Sequence, residues 1–112
     1  VWLWRARFRR VERLEEQLDS WLTALTNSLQ ANPSLGDAIA STIALMDPPM
    51  RDEVELVIKE NALGMPLDDA LERAAVRSGS RVFRAAITTL KVAHELREGR
   101  LGLAEEDVIG LG

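Results

Sequence analysis

Val11-Glu12-Arg13-Leu14-Glu15-Glu16-Gln17-Leu18-Asp19-Ser20-Trp21-Leu22-Thr23-Ala24-Leu25-Thr26-Asn27-Ser28-Leu29 is the stretch that decides the fold class. Its apolar residues, Val11, Leu14, Leu18, Trp21, Leu22, Leu25 and Leu29, return mostly in steps of three and four with polar residues between. That spacing lays one stripe along an α-helix, whereas a half-buried strand needs alternation in steps of two. The stripe predicts a long amphipathic helix running from the basic segment before it to about Ala31. Asn32-Pro33 stops it, because the residue before a proline is pushed out of the α region.

The same pattern continues downstream. Ser34, with Asp37 three residues on, resembles a capping box and opens a second helix whose stripe is Leu35, Ile39, Ile43 and Met46. Asp47-Pro48-Pro49 ends that helix, and Asp47 is expected to cap a third with the stripe Met50, Val54, Val57 and Ile58, closed by Gly64. Leu67, Ala70, Leu71, Ala74 and Ala75 line the inner face of a fourth, which ends at Ser78-Gly79. Ser80 caps a fifth, whose stripe Val82, Phe83, Ala86, Ile87, Leu90 and Ala93 reaches towards Gly99. Residues 101–112 hold three glycines and one short candidate helix at Ala104–Ile109, so a weakly ordered tail is expected over residues 100–112.

No segment between Val11 and Gly99 alternates like a strand, and every connection is short. The expected fold is therefore an all-α antiparallel bundle of about five helices, four to six, in a chain of 112 residues that fits one domain. Its core is predicted to include Leu18, Leu22, Leu25, Ile39, Ile43, Val54, Ile58, Leu71, Phe83, Ile87 and Leu90. The segments around Leu35-Gly36-Asp37-Ala38 and Leu67-Asp68-Asp69-Ala70 echo each other, but any capped helix with an acidic first turn looks like this, and two copies do not make a solenoid. The absence of cysteine excludes disulfides, thiolate metal sites and cysteine nucleophiles, and permits a reducing compartment.

The net charge of −4 conceals an asymmetry. Residues 1–13 carry five arginines against Glu12 alone, a balance of +4, which leaves −8 on the rest. An acidic body argues against nucleic acid as partner, since phosphate neutralisation needs clustered Lys and Arg. Trp2 and Trp4 lead directly into Arg5, Arg7, Arg9 and Arg10. Tryptophan favours the membrane interface and arginine its cytoplasmic flank, so residues 1–10 read as the last turn of a transmembrane helix followed by a basic juxtamembrane segment. A complete span needs roughly 20 apolar residues and would lie upstream of Val1. A signal peptide has the opposite order, charges before the apolar run.

Catalytic chemistry is not indicated. Lys59 and Lys91 lack the glycine loop of a phosphate-binding site, and no cofactor or metal set stands out. The acidic pairs Asp52/Glu53, Asp68/Asp69 and Glu105/Glu106 are adjacent, so their members diverge by about 100° on a helix, and carboxylates in first turns favour the helix dipole.

Arg10-Val11-Glu12-Arg13-Leu14-Glu15-Glu16-Gln17-Leu18, then Leu25-Thr26-Asn27-Ser28-Leu29-Gln30-Ala31 and Pro33-Ser34-Leu35-Gly36-Asp37-Ala38-Ile39, resemble the type II secretion F family in order and spacing. Gly64-Met65-Pro66-Leu67-Asp68-Asp69-Ala70-Leu71 looks like that family's G-x-P-L-x-x-A-L element, and Ala85 to Leu96 resembles its later helix. The similarity spans roughly residues 5–98 and is greatest to the tight-adherence (Tad) pilus branch; it departs after Arg100, where the chain turns acidic and glycine-rich. The resemblance implies a non-enzymatic platform of a type IV or Tad pilus or type II secretion machine. Such a platform sits in the bacterial inner membrane through flanking transmembrane helices, with residues 11–99 as its cytoplasmic domain. It implies a cytoplasmic hexameric ATPase and other platform subunits as partners, leaves self-association open, and calls for no cofactor. Asp52, Glu53, Glu55, Glu60, Asp68 and Asp69 are the acidic residues expected to meet a basic surface of the ATPase, although a solvated helix face explains the same charges. The rival is His94-Glu95-Leu96-Arg97, which resembles the start of the phosphoacceptor box of sensor histidine kinases. Glu98-Gly99-Arg100 stands in place of that box's Thr-Pro-Leu, and His94 shares the apolar face of Phe83, Ile87 and Leu90, which favours a core-edge histidine.

Overall fold

A computed structural model describes residues 2–98, with the side chains described for residues 5–96. The chain is an all-α bundle of five helices: α1 (Trp2–Ala31), α2 (Leu35–Thr42), α3 (Met50–Ala62), α4 (Leu67–Ser78) and α5 (Arg81–Glu98), with a 3₁₀ turn at Ile43–Leu45. No strand occurs among the described residues. The candidate helix at Ala104–Ile109 and the tail of residues 100–112 lie outside them.

The ends of the helices reflect local chemistry. The Ser34 hydroxyl accepts from the Asp37 N–H at the start of α2, and the Ser80 hydroxyl accepts from the Phe83 N–H at 3.0 Å at the start of α5. Gly79 closes α4 with φ of 70°, a left-handed conformation that costs glycine nothing.

Two boundaries differ from the sequence expectation. α2 stops at Thr42 because the Thr42 hydroxyl donates to the Ile39 carbonyl at 2.6 Å, and the Ile43 N–H bonds the Ala40 carbonyl instead, tightening the last turn. Asp47 does not cap α3 with its side chain. The Met50 N–H donates instead to Oε1 of Gln17, at 3.1 Å, while Nε2 of Gln17 donates to the Asp47 carbonyl at 2.8 Å. One amide on α1 thus holds the whole α2–α3 connection.

Cross-helix polar pairs give the topology. Glu53 meets Arg77 and Glu60 meets Arg73, so α3 and α4 run antiparallel; Glu72 meets Arg84 and Asp68 meets His94, so α4 and α5 do too. α2 folds back along α1, bringing Thr42 to Trp21 and Asp47 to Gln17.

The core centres on Trp21 and Phe83, whose ring centroids are 6.2 Å apart. Around them Leu14, Leu18, Leu25, Ile39, Met50, Val54, Leu71 and Ile87 are buried. The Trp21 indole N–H donates to Thr42 Oγ1 at 3.0 Å, so the largest core side chain has its one polar atom satisfied. Leu22, Ile43, Ile58 and Leu90, expected in the core, form its partly buried edge. Val82 and Ala93, placed by spacing on the inner face of α5, point outward; Val82 is 54% exposed.

Candidate functional site

Two surfaces carry the charge asymmetry. The first is the start of α1. Residues 5–10 are all exposed, and six successive helical positions cover every face, so no described element packs closely around the helix there. Arg5, Arg7 and Arg9 project from it beside Phe8, which is 53% exposed. Trp2 and Trp4 fall in its first turns, and their side chains lie outside the described residues. α1 passes from the basic segment into the bundle without a break, so no structural boundary separates residues 2–10 from the rest of the helix. Among the described residues no helix is long and apolar enough to cross a membrane.

Arg10 ends the basic segment and does something different. Its Nη2 lies 3.0 Å from Oε2 of Glu53, and Nη2 of Arg77 lies 2.9 Å from the other oxygen, Oε1. Glu53 therefore ties α1, α3 and α4 together with both carboxylate oxygens engaged. Its side chain is only 7% exposed, which corrects its assignment to a partner-facing surface. A signal for this exists in the sequence: Met50, Glu53, Val54, Val57 and Glu60 fall in steps of three, one, three and three, so both glutamates ride the buried stripe of α3.

The other expected acidic residues divide in the same way. Glu60 is turned inward, its side chain 14% exposed and its Oε2 3.0 Å from Arg73 Nε. Asp68 is also drawn in, its Oδ1 3.0 Å from Nδ1 of His94, with both side chains largely covered. His94 thus sits at the core edge and links α4 to α5. Asp52, Glu55 and Asp69 remain exposed, Glu55 with Arg51 at 3.8 Å on its own helix.

The second surface is built on these three. Asp52, Glu55 and Lys59 border an open groove of about 550 Å³, which Ile43, Leu56, Ile58 and Ala62 also line. Asp69 borders a neighbouring groove with Leu63, Met65 and Pro66. Leu63 is 81% exposed, the most exposed large apolar side chain among the described residues, and it stands between the two grooves at the end of α3. Nothing in the sequence marks Leu63 out, because a single apolar residue before a helix-closing glycine carries no periodic signal. The surface is an apolar floor with three exposed carboxylates around it, Lys59 standing among them and Arg51 beside Glu55. Among the described residues no group of three or more His, Cys, Asp or Glu could hold a metal ion.

Compared with protein-family models, curated proteins and solved structures, the chain matches none.

Proposed function

We propose that this is the cytoplasmic domain of a platform protein of the type II secretion F kind, a non-enzymatic adaptor between an inner membrane and a cytoplasmic hexameric ATPase. The observation that carries the proposal is the separation of charge along the bundle, arginines bare on one end of α1 and carboxylates bare on the outer side of α3. The order of motifs from Arg10 to Leu71 supports the same reading. A basic end suits an anionic membrane surface, where each arginine contributes about 1 kcal/mol. An apolar floor with Asp52, Glu55 and Asp69 exposed around it, and Lys59 among them, suits a partner segment with an apolar side and basic residues placed to meet the carboxylates, the charges speeding encounter and the floor holding the complex. α1 is continuous between the exposed end and the core, and Arg10–Glu53–Arg77 braces it to α3 and α4, so force at one end would reach the other through packed structure.

The test is association of the domain with its neighbouring secretion ATPase. Charge reversal at Asp52, Glu55 and Asp69 should slow association and flatten its salt dependence with the helical spectrum unchanged. Binding that is unaltered by these changes would reject the acidic face, and a wild-type domain that does not bind would reject the platform reading.

A further inference from the structure

α5 is apolar on two opposite faces. Phe83, Ile87 and Leu90 face the core, while Val82, Ala85, Thr89, Val92 and Leu96 lie on the other side, all exposed, the two valines at 54% and 43% and Leu96 at 49%. The outer residues advance by three, four, three and four, the spacing of a coiled-coil seam, with Thr89 its one polar member. No other described element of the bundle covers them.

The charges beside the seam say what would. Arg81 and Glu95 occupy the same flanking position of successive heptads, with Thr88 midway between them, and the other flank is only Ala86 and Ala93. In a parallel pairing of two copies each flank meets the opposite one, so Arg81 faces alanine and both charges stay unmatched. In an antiparallel pairing like flanks meet. Setting Val82 across from Val92 of the second copy, and Ala85 across from its Thr89, brings Arg81 opposite the second copy's Glu95 at both ends and places the two Thr88 side chains together on the two-fold axis. Neither Arg81 nor Glu95 has an ion-pair partner among the described residues of its own chain. The small residues Ala85, Ala86 and Ala93 would let the backbones approach closely.

We infer that the outer face of α5 is an isologous interface for a second copy of this chain, antiparallel and in the register that joins Arg81 to Glu95. The seam is short and its side chains are small, so the dimer is weak in dilute solution and depends on concentration. Tethering two copies to one assembly raises their effective concentration and makes such a contact count.

Sedimentation equilibrium of the 112-residue chain tests this. The expected result is a reversible monomer–dimer equilibrium in which Val92→Glu raises Kd at least ~10-fold, by placing an unpaired carboxylate in the seam. Arg81→Glu and Glu95→Arg should each weaken association by repulsion, and the double swap R81E/E95R should restore it, since antiparallel pairing exchanges the two signs. The chain has no cysteine, so Thr88→Cys supplies a single thiol that a short bifunctional reagent should join across the two-fold, while Ser20→Cys on α1 should stay monomeric. All five positions in α5 and α1 are at or near the surface, and unchanged thermal unfolding of each variant excludes misfolding as the cause. A chain monomeric at high concentration, a dimer indifferent to Val92→Glu, or a double swap that fails to restore association overturns the proposal.

Discussion

In the first part of α1, residues 5–10 are exposed on every face; further along the same helix, Leu14, Leu18, Trp21 and Leu25 are no more than 6% exposed. One helical rod therefore has two sources of stability. The buried part is held by the stripe that meets α2, α3 and α5. The bare part buries no such stripe, touching α3 through the Arg10–Glu53 pair at its end, and is helical because it continues a nucleus already formed, which spares it the cost of initiation. Packing energy is concentrated in the second part, and the first is free to hold charge for use elsewhere.

Changes that attack the buried part should have the largest effect. Trp21→Ala or Phe83→Ala removes an aromatic side chain no more than 2% exposed, and should destabilise by about 3–5 kcal/mol in chemical denaturation. Loss of less than about 1 kcal/mol would mean that the centre of the core lies elsewhere. Next comes the junction of the two parts. Glu53→Ala leaves Arg10 and Arg77 without their shared carboxylate, but these arginines are 49% and 31% exposed and can turn to water, so the cost should be about 1–3 kcal/mol. Arg10→Ala should cost less, because Arg77 still pairs with Oε1 of Glu53 and only Oε2 loses its partner. Equal losses from the two variants would show that Arg10 is as fixed as the core.

Gln17→Ala should cost about 1–2 kcal/mol, chiefly by freeing the Met50 N–H, since the Asp47 carbonyl keeps the Arg51 N–H at 3.0 Å. The smallest effect on folding belongs to the bare part: Arg5, Arg7 and Arg9 replaced by Ser should shift stability by no more than about 0.5 kcal/mol each. The same triple change should weaken binding to anionic vesicles about 100-fold at low salt, and wild-type binding should fall as salt rises. Vesicle binding that survives the triple change would assign the membrane contact to other residues and erase the functional side of the comparison.

The helices and most of the core are legible in the sequence because stripes, prolines and glycines are local signals. The stripe from Leu14 to Leu25, the stop at Pro33, and the ends at Gly64 and Gly79 all depend on residues within a turn or two of each other. The hidden features depend on residues far apart. Thr42 shortens α2 at the point where it meets Trp21, 21 positions away. Glu53 looks like one more surface carboxylate because its partners are Arg10 and Arg77, 43 and 24 positions off. α5 is ambiguous for a different reason: it carries two apolar faces, and periodicity alone does not say which one is inside, so Val82 reads as an inner residue although it is exposed. The candidate docking surface shrinks because burial depends on the same distant partners, from six carboxylates to Asp52, Glu55 and Asp69, with Leu63 added.

Gln17 has a further consequence for how this chain can change. It grips the α2–α3 connection by backbone atoms alone, the Asp47 carbonyl on one side and the Met50 N–H on the other. Every amino acid offers that carbonyl, so the identity of residue 47 is nearly free, and random substitutions there should be tolerated in a library screen. The length of the connection is not free. A residue inserted between Asp47 and Met50 moves the two groups out of reach of one amide. Shortening Gln17 to Asn withdraws that amide by one methylene. Sequence diversity is therefore cheap at this corner, while insertions and deletions are not.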